Sequence, residues 1–362
     1  MNTVQDYKCP NCSAPLVFNA NNQKLHCESC DSNFSIEDLK AAGNQQTQES
    51  FESKYDWKNY HPRDFKSDGK INLSAYSCPS CGAQIVGDEN LGTTVCPYCG
   101  NSTIIKEQFE GTLMPDFLIP FKVDKKTAMK AFEKASLKAP FLPKEFKDKK
   151  KIEEMSGLYV PYWIFGCDCH ANVHYNATKV SHWSDSDYDY TKTDYYQIIR
   201  SGTVGFENIP VDGSSKIDNI YTESVEPYNY NDAVNFDTAY LSGYLADRYD
   251  VDSEDCVDRA NERVKNSTED IFRSTVIGYD TVSTIGSSVN FSDGEIRYSL
   301  LPMWMLNIKY NDNTYKYAIN GQTEKVVGEF PVCKKRRNTF FAIVYVITLA
   351  VCFLIAKLLG FI

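Results

Sequence analysis

The feature that most constrains this chain is a spacing of cysteines that occurs twice. Two Cys-x-x-Cys pairs stand fourteen residues apart near the start, and the same frame returns 69 positions later. The eight residues are Cys9, Cys12, Cys27, Cys30, Cys78, Cys81, Cys96 and Cys99. Two pairs at this separation can present four thiolates tetrahedrally to one Zn²⁺. We therefore predict two structural zinc ions, each holding a β module too small to fold without metal.

Two other chemistries use Cys-x-x-Cys pairs. A lone pair would suit a redox dithiol, but two pairs repeated in register argue against that interpretation. Iron, as a rubredoxin-like or iron–sulfur site, stays open as an alternative because it also takes four thiolates. A site with four sulfur ligands has no position left for water or substrate, so the metal would be structural.

The second cysteine frame carries a family resemblance. Cys78–Gly82 (CPSCG) and Cys96–Gly100 (CPYCG) resemble the knuckles of transcription factor IIB-type zinc ribbons. Each segment ends in glycine, where such a knuckle needs positive φ. The first frame departs from the pattern, because Ser13 and Asp31 replace the glycines.

Composition narrows the function. The net charge is −10, and no Lys or Arg lies between Ile71 and Ile105. A ribbon that reads nucleic acid needs cations to neutralise phosphates, so we predict no nucleic-acid partner.

The five cysteines outside the frames show no disulfide spacing, which indicates reduced thiols. Residues 1–8 have no secretory hydrophobic core, so the bulk of the protein should be cytoplasmic.

The order of segments predicts two ribbons, an α+β domain with antiparallel sheets, and one transmembrane helix. A polar, Gln- and Ser-rich stretch separates the ribbons and is predicted to be a linker, in which Tyr55, Trp57 and Tyr60 could dock. The boundaries are 1–40 for ribbon 1, 41–72 for the linker, 73–110 for ribbon 2, 111–333 for the α+β domain and 338–360 for the helix.

The α+β domain shows a faint internal duplication, with candidate repeats 117–205 and 244–330. Asp124 and Asp252 are predicted N-caps of two similar helices, and each helix is followed downstream by Pro-x-Trp. Residues 296–310 alternate between apolar and polar, the period of a half-buried strand. Pro302 predicts a bulge or an edge position, and Asn320-Gly321 predicts a two-residue hairpin turn. Chance similarity of short motifs is the alternative to duplication.

The end of the chain predicts a tail anchor. A basic quartet, Lys334–Arg337, precedes seventeen uncharged residues, Phe340–Ala356. Seventeen is the lower limit for a spanning helix, and the apolar residues after Lys357 extend it. The basic flank predicts a single-pass protein with a cytoplasmic N-terminus. A buried core helix is the alternative, but the segment has no polar face.

No group of residues suggests catalysis or a small-molecule site. Cys167, Cys169, His170 and His174 could be a third metal site, but on a strand the cysteines and histidines would face opposite sides. The acidic stretch 184–194, near His182, could bind a cation, but it is predicted to be a solvated hairpin loop. The sequence contains no phosphate-binding glycine loop, nucleophile elbow or HExxH motif. We therefore predict no catalytic residues, no cofactor-binding residues and no enzyme.

The order of two ribbons, an α+β domain and a terminal helix resembles that of a family of bacterial membrane-anchored double-zinc-ribbon proteins. The genes of that family lie near those of phage-shock-type and flotillin-like membrane proteins. Segments that match are Cys78–Gly82, Ile119–Lys122, Gly157–Trp163 and Asn320–Thr323. The resemblance implies an adaptor that recruits or organises proteins at the cytoplasmic face of the membrane under envelope stress. Its implied partners are the lipid bilayer and flotillin-like or phage-shock-type proteins. The alternative is a nucleic-acid-associated factor of replication or transcription.

Overall fold

The computed structural model describes residues 9, 16–19, 23–30, 32–35, 51–61, 73–88, 96–101, 105–107 and 114–358. The chain divides into two compact units, Met1–Glu52 and Ser53–Ile362. In the described part of the smaller unit, three short strands form an antiparallel sheet in the order β1-β2-β3. They are β1 (Val17–Asn19), β2 (Lys24–His26) and β3 (Asn33–Phe34). The linker residues 62–72 lie outside the described residues.

The larger unit is built on one sheet, to which twelve strands contribute within the described residues. The strands are β4 (Lys54–Trp57), β5 (Leu73–Ser77), β6 (Gln84–Asp88), β7 (Ile105–Glu107), β8 (Phe117–Leu118), β9 (Ser156–Ser184), β10 (Asp189–Asp212), β11 (Val234–Asn235), β12 (Leu245–Asp247), β13 (Thr281–Tyr310), β14 (Asn313–Asn320) and β15 (Val326–Val327). The helices are α1 (Lys125–Leu137), α2 (Lys149–Ile152), α3 (Asn219–Ser224), α4 (Ser253–Ser274) and α5 (Lys334–Leu358). Three 3₁₀ turns, Lys144–Lys147, Tyr230–Asp232 and Thr238–Leu241, complete the described elements. The larger unit is therefore α+β with a mainly antiparallel sheet.

Two long strands, β9 and β13, form the centre of the sheet. They pair antiparallel, with Val160 opposite Leu301. Near this point both faces are covered, because residues 158–165 of β9 and 298–306 of β13 are all buried. The predicted alternation in 296–310 is present, but the intervening Met303 and Met305 are also buried, in a second core cluster. A half-buried strand was thus the wrong expectation for this stretch, because it lies inside a layer covered on both sides.

The outer parts of β9 and β10 form a long hairpin arm. Its buried face alternates cleanly and is covered by α4, whose inward residues recur every four positions: Cys256, Ala260, Val264, Thr268 and Phe272. That spacing places one face of a helix on the sheet. The strands extend to a turn at 185–188, beyond the last pairing with β13 at Thr281–Thr178. Only residues 185–188 of the acidic stretch 184–194 form the predicted loop, because 189–194 pair with 179–184 as the first part of β10.

Each Pro-x-Trp motif holds the start of a helix. The indole N–H of Trp163 donates to the carbonyl oxygen of Val251 at 2.9 Å, just before α4. The indole N–H of Trp304 donates to the carbonyl oxygen of Val123 at 2.9 Å, just before α1. The neighbouring short strands match as well, since β12 runs parallel to β9 and β8 runs parallel to β13. Each tryptophan therefore fixes the entry to a helix that lies far from it in sequence.

The predicted linker contains a strand. β4 pairs parallel with β13, and Trp57 donates its indole N–H to Asn261 Oδ1 at 2.8 Å. Tyr55, Trp57 and Tyr60 pack on the main core cluster, and the Trp57 ring lies 4.9 Å from that of Phe165. The polar composition of 41–72 hid this strand, whose ordering rests on a few aromatic side chains.

The turn after β14 differs from the expected two-residue hairpin. β14 and β15 pair through Ile319–Val326, which leaves a longer turn. Asn320 Oδ1 accepts from the backbone N–H groups of Gln322 and Thr323, at 2.8 and 2.9 Å, and so closes an Asx-type turn instead. Gly321 has a second constraint, because a Cβ there would lie 2.7 Å from Pro302 Cβ. Pro302 itself lies where the neighbour of β13 changes from β8 to β14, which is locally an edge position.

Arg259→Ala is expected to destabilise the larger unit by about 3 kcal/mol. The guanidinium of Arg259 lies 2.8 Å from Asp212, whose side chain is only 2% exposed. Its removal leaves a buried carboxylate with the Thr222 hydroxyl as hydrogen-bond donor. Chemical unfolding should show the loss, and Arg259→Ala combined with Asp212→Asn should recover part of it.

Lys265→Ala on the same helix is the control. Lys265 Nζ lies 4.0 Å from Glu269 in a half-exposed i,i+4 pair, which contributes about 0.5 kcal/mol or less. Equal losses for Arg259→Ala and Lys265→Ala would contradict the importance of the buried ion pair.

The terminal helix α5 is long and apolar enough to cross a membrane. Its 25 residues span roughly 38 Å at 1.5 Å per residue, more than the hydrocarbon thickness of about 30 Å. All of its described side chains are exposed. A core helix would bury a face, so this exposure argues against the buried-helix alternative.

Candidate metal centres

The cysteines of the second frame meet at one point. The Sγ atoms of Cys78, Cys81, Cys96 and Cys99 all lie within 4.8 Å of one another. The Cys78–Cys99 and Cys81–Cys96 pairs are both 3.7 Å apart. Tetrahedral Zn–S bonds of about 2.3 Å would place sulfurs about 3.8 Å apart. The group is therefore the right size for one zinc ion, and its sulfur atoms lie too far apart for disulfide bonds.

Local backbone geometry explains why these cysteines converge. The N–H of Gly82 donates to the carbonyl oxygen of Cys78 at 2.8 Å, and that of Gly100 donates to Cys96 at 2.9 Å. Both glycines have positive φ, +70° and +68°, as the sequence predicted for these knuckles. Each turn folds back so that the two cysteines of a pair project to the same side.

The thiols of this centre differ in acidity. Burial acts to raise the pKa of Cys78, but hydrogen bonds from the backbone N–H groups of Cys81 and Ser80 bring that pKa down to about 7. Burial raises the pKa of Cys81 and of Cys96. Metal binding requires thiolates, so an ion entering here releases protons, most easily from Cys78.

The second ribbon is built into the larger unit. Its strand β6 pairs with β12, which in turn pairs with β9, so the ribbon extends the main sheet. Tyr98, between two of the cysteines, is 3% exposed and packs in the same cluster as Leu158 and Met305. The side-chain amide of Asn307 donates to the Pro97 carbonyl oxygen at 2.7 Å. Sequence reasoning missed this union, because nothing in the spacing of the cysteines reveals which sheet the hairpin will join.

A buried carboxyl lies beside this ribbon. Asp247 on β12 is 5% exposed and accepts from the Ser214 hydroxyl at 2.7 Å. Burial raises the pKa of Asp247 to about 7. Burial, followed by the charge of Asp247, raises the pKa of Tyr98 far above its ordinary value. The Tyr98 hydroxyl and the Asp247 carboxyl therefore lie near each other where the second ribbon joins the main sheet.

The described cysteines of the first frame also meet. The Sγ atoms of Cys9, Cys27 and Cys30 lie within 4.8 Å of one another, and Cys9 and Cys30 are 3.5 Å apart. The N–H of Cys27 donates to the Ser32 carbonyl oxygen at 2.9 Å, which closes the second turn of this frame. Cys12, Ser13 and Asp31 lie outside the described residues. Three thiols at this separation are enough to hold a metal ion with one further ligand.

The third candidate metal group, Cys167, Cys169, His170 and His174, does not converge on one point as the other two groups do. Cys167 and Cys169 are buried in the core, and the Cys169 thiol donates to the Val204 carbonyl oxygen at 3.3 Å. His170 lies on the opposite face of β9, where its Nε2 is 3.4 Å from the Ser201 hydroxyl. The alternation of the strand separates the two residue types, as the sequence predicted.

Metal analysis of the purified full-length chain is expected to find two zinc ions per chain. The two cysteine groups each have room for one ion, and tetrahedral sulfur sites suit zinc. Elemental analysis that also counts iron tests both the number and the identity. A ratio near zero or three, or iron in place of zinc, would contradict the assignment.

The chain is 30% identical over 339 residues to a Bacillus subtilis (strain 168) protein described as "Uncharacterized protein YdjG". The match covers 94% of each chain. No protein-family model matches this chain. No solved structure matches it either.

Proposed function

We propose that this chain, which belongs to the same family as YdjG of Bacillus subtilis, is a non-enzymatic, membrane-anchored zinc-ribbon adaptor. In this proposal the protein binds other proteins at the cytoplasmic face of the membrane. One observation carries it. The second cysteine group shares a core with the sheet, and the same unit ends in an exposed helix long enough to cross a bilayer.

The metal centres supply rigidity in this proposal. A site closed by cysteine ligands leaves no coordination position for a substrate, so zinc would hold shape and perform no chemistry. We assign zinc to both groups and interpret them as ribbons of transcription factor IIB type, on the resemblance of Cys78–Gly82 and Cys96–Gly100.

The hairpin arm supports a protein-docking role. Trp183 is 51% exposed and stacks on Tyr190 with ring centroids 5.4 Å apart. Tyr188, at the turn, is 69% exposed. Asp185 lies among these rings, where its carboxylate accepts from the Tyr190 hydroxyl at 2.8 Å. Exposed Trp and Tyr are enriched in binding hot spots, and the acidic setting suits a basic partner surface.

Membrane attachment follows from the terminal helix and its basic flank. Lys334–Arg337 precede the apolar segment, which by the positive-inside rule keeps both units cytoplasmic. Tethering to one surface raises the effective concentration of any partner on that surface. The resemblance of the sequence motifs extends the proposal to flotillin-like or phage-shock-type partners and to envelope stress.

The larger unit is further proposed to be an internal duplication, with repeats 117–205 and 244–330. The matched Trp163 and Trp304 hydrogen bonds support it. So do two matched strand pairings: Phe117 lies opposite Ser299, and Leu245 lies opposite Leu158. A two-fold relation centred on the β9–β13 pair would place one repeat on each side of that pair.

Affinity capture from detergent-solubilised membranes tests the adaptor role. The full-length chain should retain specific membrane-associated proteins, and Trp183→Ala with Tyr190→Ala should lose them. Ile220→Ala with Tyr240→Ala, which removes exposed apolar side chains elsewhere, is the matched control and should retain them.

The nucleic-acid alternative makes the opposite prediction in the same experiment. Nucleic acid should then co-purify at physiological salt, and disrupting either cysteine group should abolish it. No Lys or Arg lies between Ile71 and Ile105, which disfavours this outcome. If nucleic acid is retained and the arm variants change nothing, the adaptor proposal fails.

A further inference from the structure

The loop after α1 is fixed to the first turn of the terminal helix. The N–H of Cys333 donates to the Phe141 carbonyl oxygen at 2.9 Å. The guanidinium of Arg336 donates to the Leu142 carbonyl oxygen at 2.8 Å. The Phe141 and Phe340 rings lie 5.2 Å apart. Whatever surface α5 enters, this loop therefore lies beside the point of entry.

A run of exposed lysines follows this loop directly. We call it the lysine collar, and its members are Lys144, Lys147, Lys149 and Lys150. Lys138 and Lys151 add to the positive charge of the segment, while Glu145 and Asp148 oppose it. The Asp148 carboxylate is used locally, since it accepts from the N–H of Lys150 at 3.0 Å to cap α2. The stretch is thus net positive in a chain whose total charge is −10.

The same loop also exposes apolar surface. Leu137, the last residue of α1, is 76% exposed. An exposed leucine followed in sequence by lysines has the composition of an interfacial membrane contact, in which the apolar side chain enters the headgroup region and the cations meet phosphates. Nucleic acid would use the lysines but would gain nothing from the leucine.

We propose that the lysine collar and Leu137 bind the anionic headgroup surface of the bilayer, as a second membrane contact beside α5. This inference rests on the proposed role of α5 as a membrane anchor. Lys334–Arg337, at the start of α5, add basic side chains that would meet the same anionic phospholipid. The contact fixes the larger unit against the membrane in one orientation.

The test uses the full-length chain in lipid nanodiscs of phosphatidylcholine, alone or mixed with phosphatidylglycerol. A photo-crosslinking amino acid replaces the exposed Leu137, and lipid adducts at that position are counted by mass spectrometry. The test variant combines Lys144→Gln, Lys147→Gln, Lys149→Gln and Lys150→Gln. The matched control removes the same charge from exposed lysines elsewhere: Lys54→Gln, Lys58→Gln, Lys179→Gln and Lys192→Gln.

Phosphatidylglycerol should raise the lipid adducts at position 137 by about tenfold, given the contribution of each lysine near an anionic surface. The collar variant should lose most of this gain, and the control should keep it. Equal adducts in both lipid mixtures, or equal adducts in the two variants, would overturn the inference. Suppression of the adducts by added RNA at physiological salt would also overturn it, in favour of a nucleic-acid surface.

Reconstitution separates this inference from the anchor on which it rests. Flotation of the nanodisc complexes reports insertion of α5 independently of any crosslink. Inserted chains without adducts refute the collar and leave the anchor standing. A chain that does not enter the nanodiscs refutes both.

Discussion

Cys96→Ser is expected to destabilise the entire larger unit by about 5 kcal/mol or more, since a structural zinc site contributes that much or more to folding. Cys96 is fully buried, and the knuckle that it anchors carries Tyr98 into the shared core. Loss of the metal would release this knuckle and the Asn307–Pro97 hydrogen bond together. Denaturant unfolding followed by tryptophan fluorescence measures the effect.

Cys27→Ser is the matched control. It breaks the cysteine group of the smaller unit, whereas all four tryptophans, Trp57, Trp163, Trp183 and Trp304, belong to the larger unit. The fluorescence transition should therefore stay within about 0.5 kcal/mol of the parent, the range of changes away from the measured core. Equal effects of the two substitutions would contradict the union of the second ribbon with the sheet.

Removing residues 340–362 is expected to move nearly all of the chain from the membrane fraction to the soluble fraction. These residues include the uncharged part of α5, and the apolar side chains that the structure describes there are exposed. Fractionation of cells measures the change. Neutralising Lys334–Arg337 to glutamine is the control, because it removes charge and leaves the apolar length that a membrane-spanning helix needs.

A truncated chain that stays on the membrane would contradict a tail anchor as the sole attachment. Persistence that disappears at high salt would identify the lysine collar as the remaining contact, since charge–headgroup attraction is screened by salt. Persistence that survives high salt would require a different attachment.

Local chemistry could be read from the sequence. The spacing of the cysteines predicted which thiols come close enough to hold a metal ion. The glycines that end the knuckles predicted the two positive φ angles. Asp124 was predicted to cap α1, and its carboxylate accepts from the N–H of Thr127 at 2.7 Å. Each of these depends on residues a few positions apart. The composition of the uncharged segment 340–356 likewise predicts a helix without any long-range information.

Long-range pairing could not be read in the same way. The partners of β4 and β6 are set by contacts between residues far apart in sequence, such as Trp57 on β4 with Asn261 on α4. Burial of both faces around Val160 and Leu301 depends on which helices and loops cover the sheet. The Asn320-Gly321 motif misled because the amide side chain and the close approach to Pro302 decide the turn.

The central claim, that this chain brings a protein partner to the membrane, is tested most directly by the partner's location. The partner is the protein retained by the full-length chain and lost with Trp183→Ala and Tyr190→Ala. Its membrane-bound share should be compared in cells with the full chain, with the chain lacking 340–362, and with no chain. We expect a high share only with the full chain. An equal share in all three would contradict the claim.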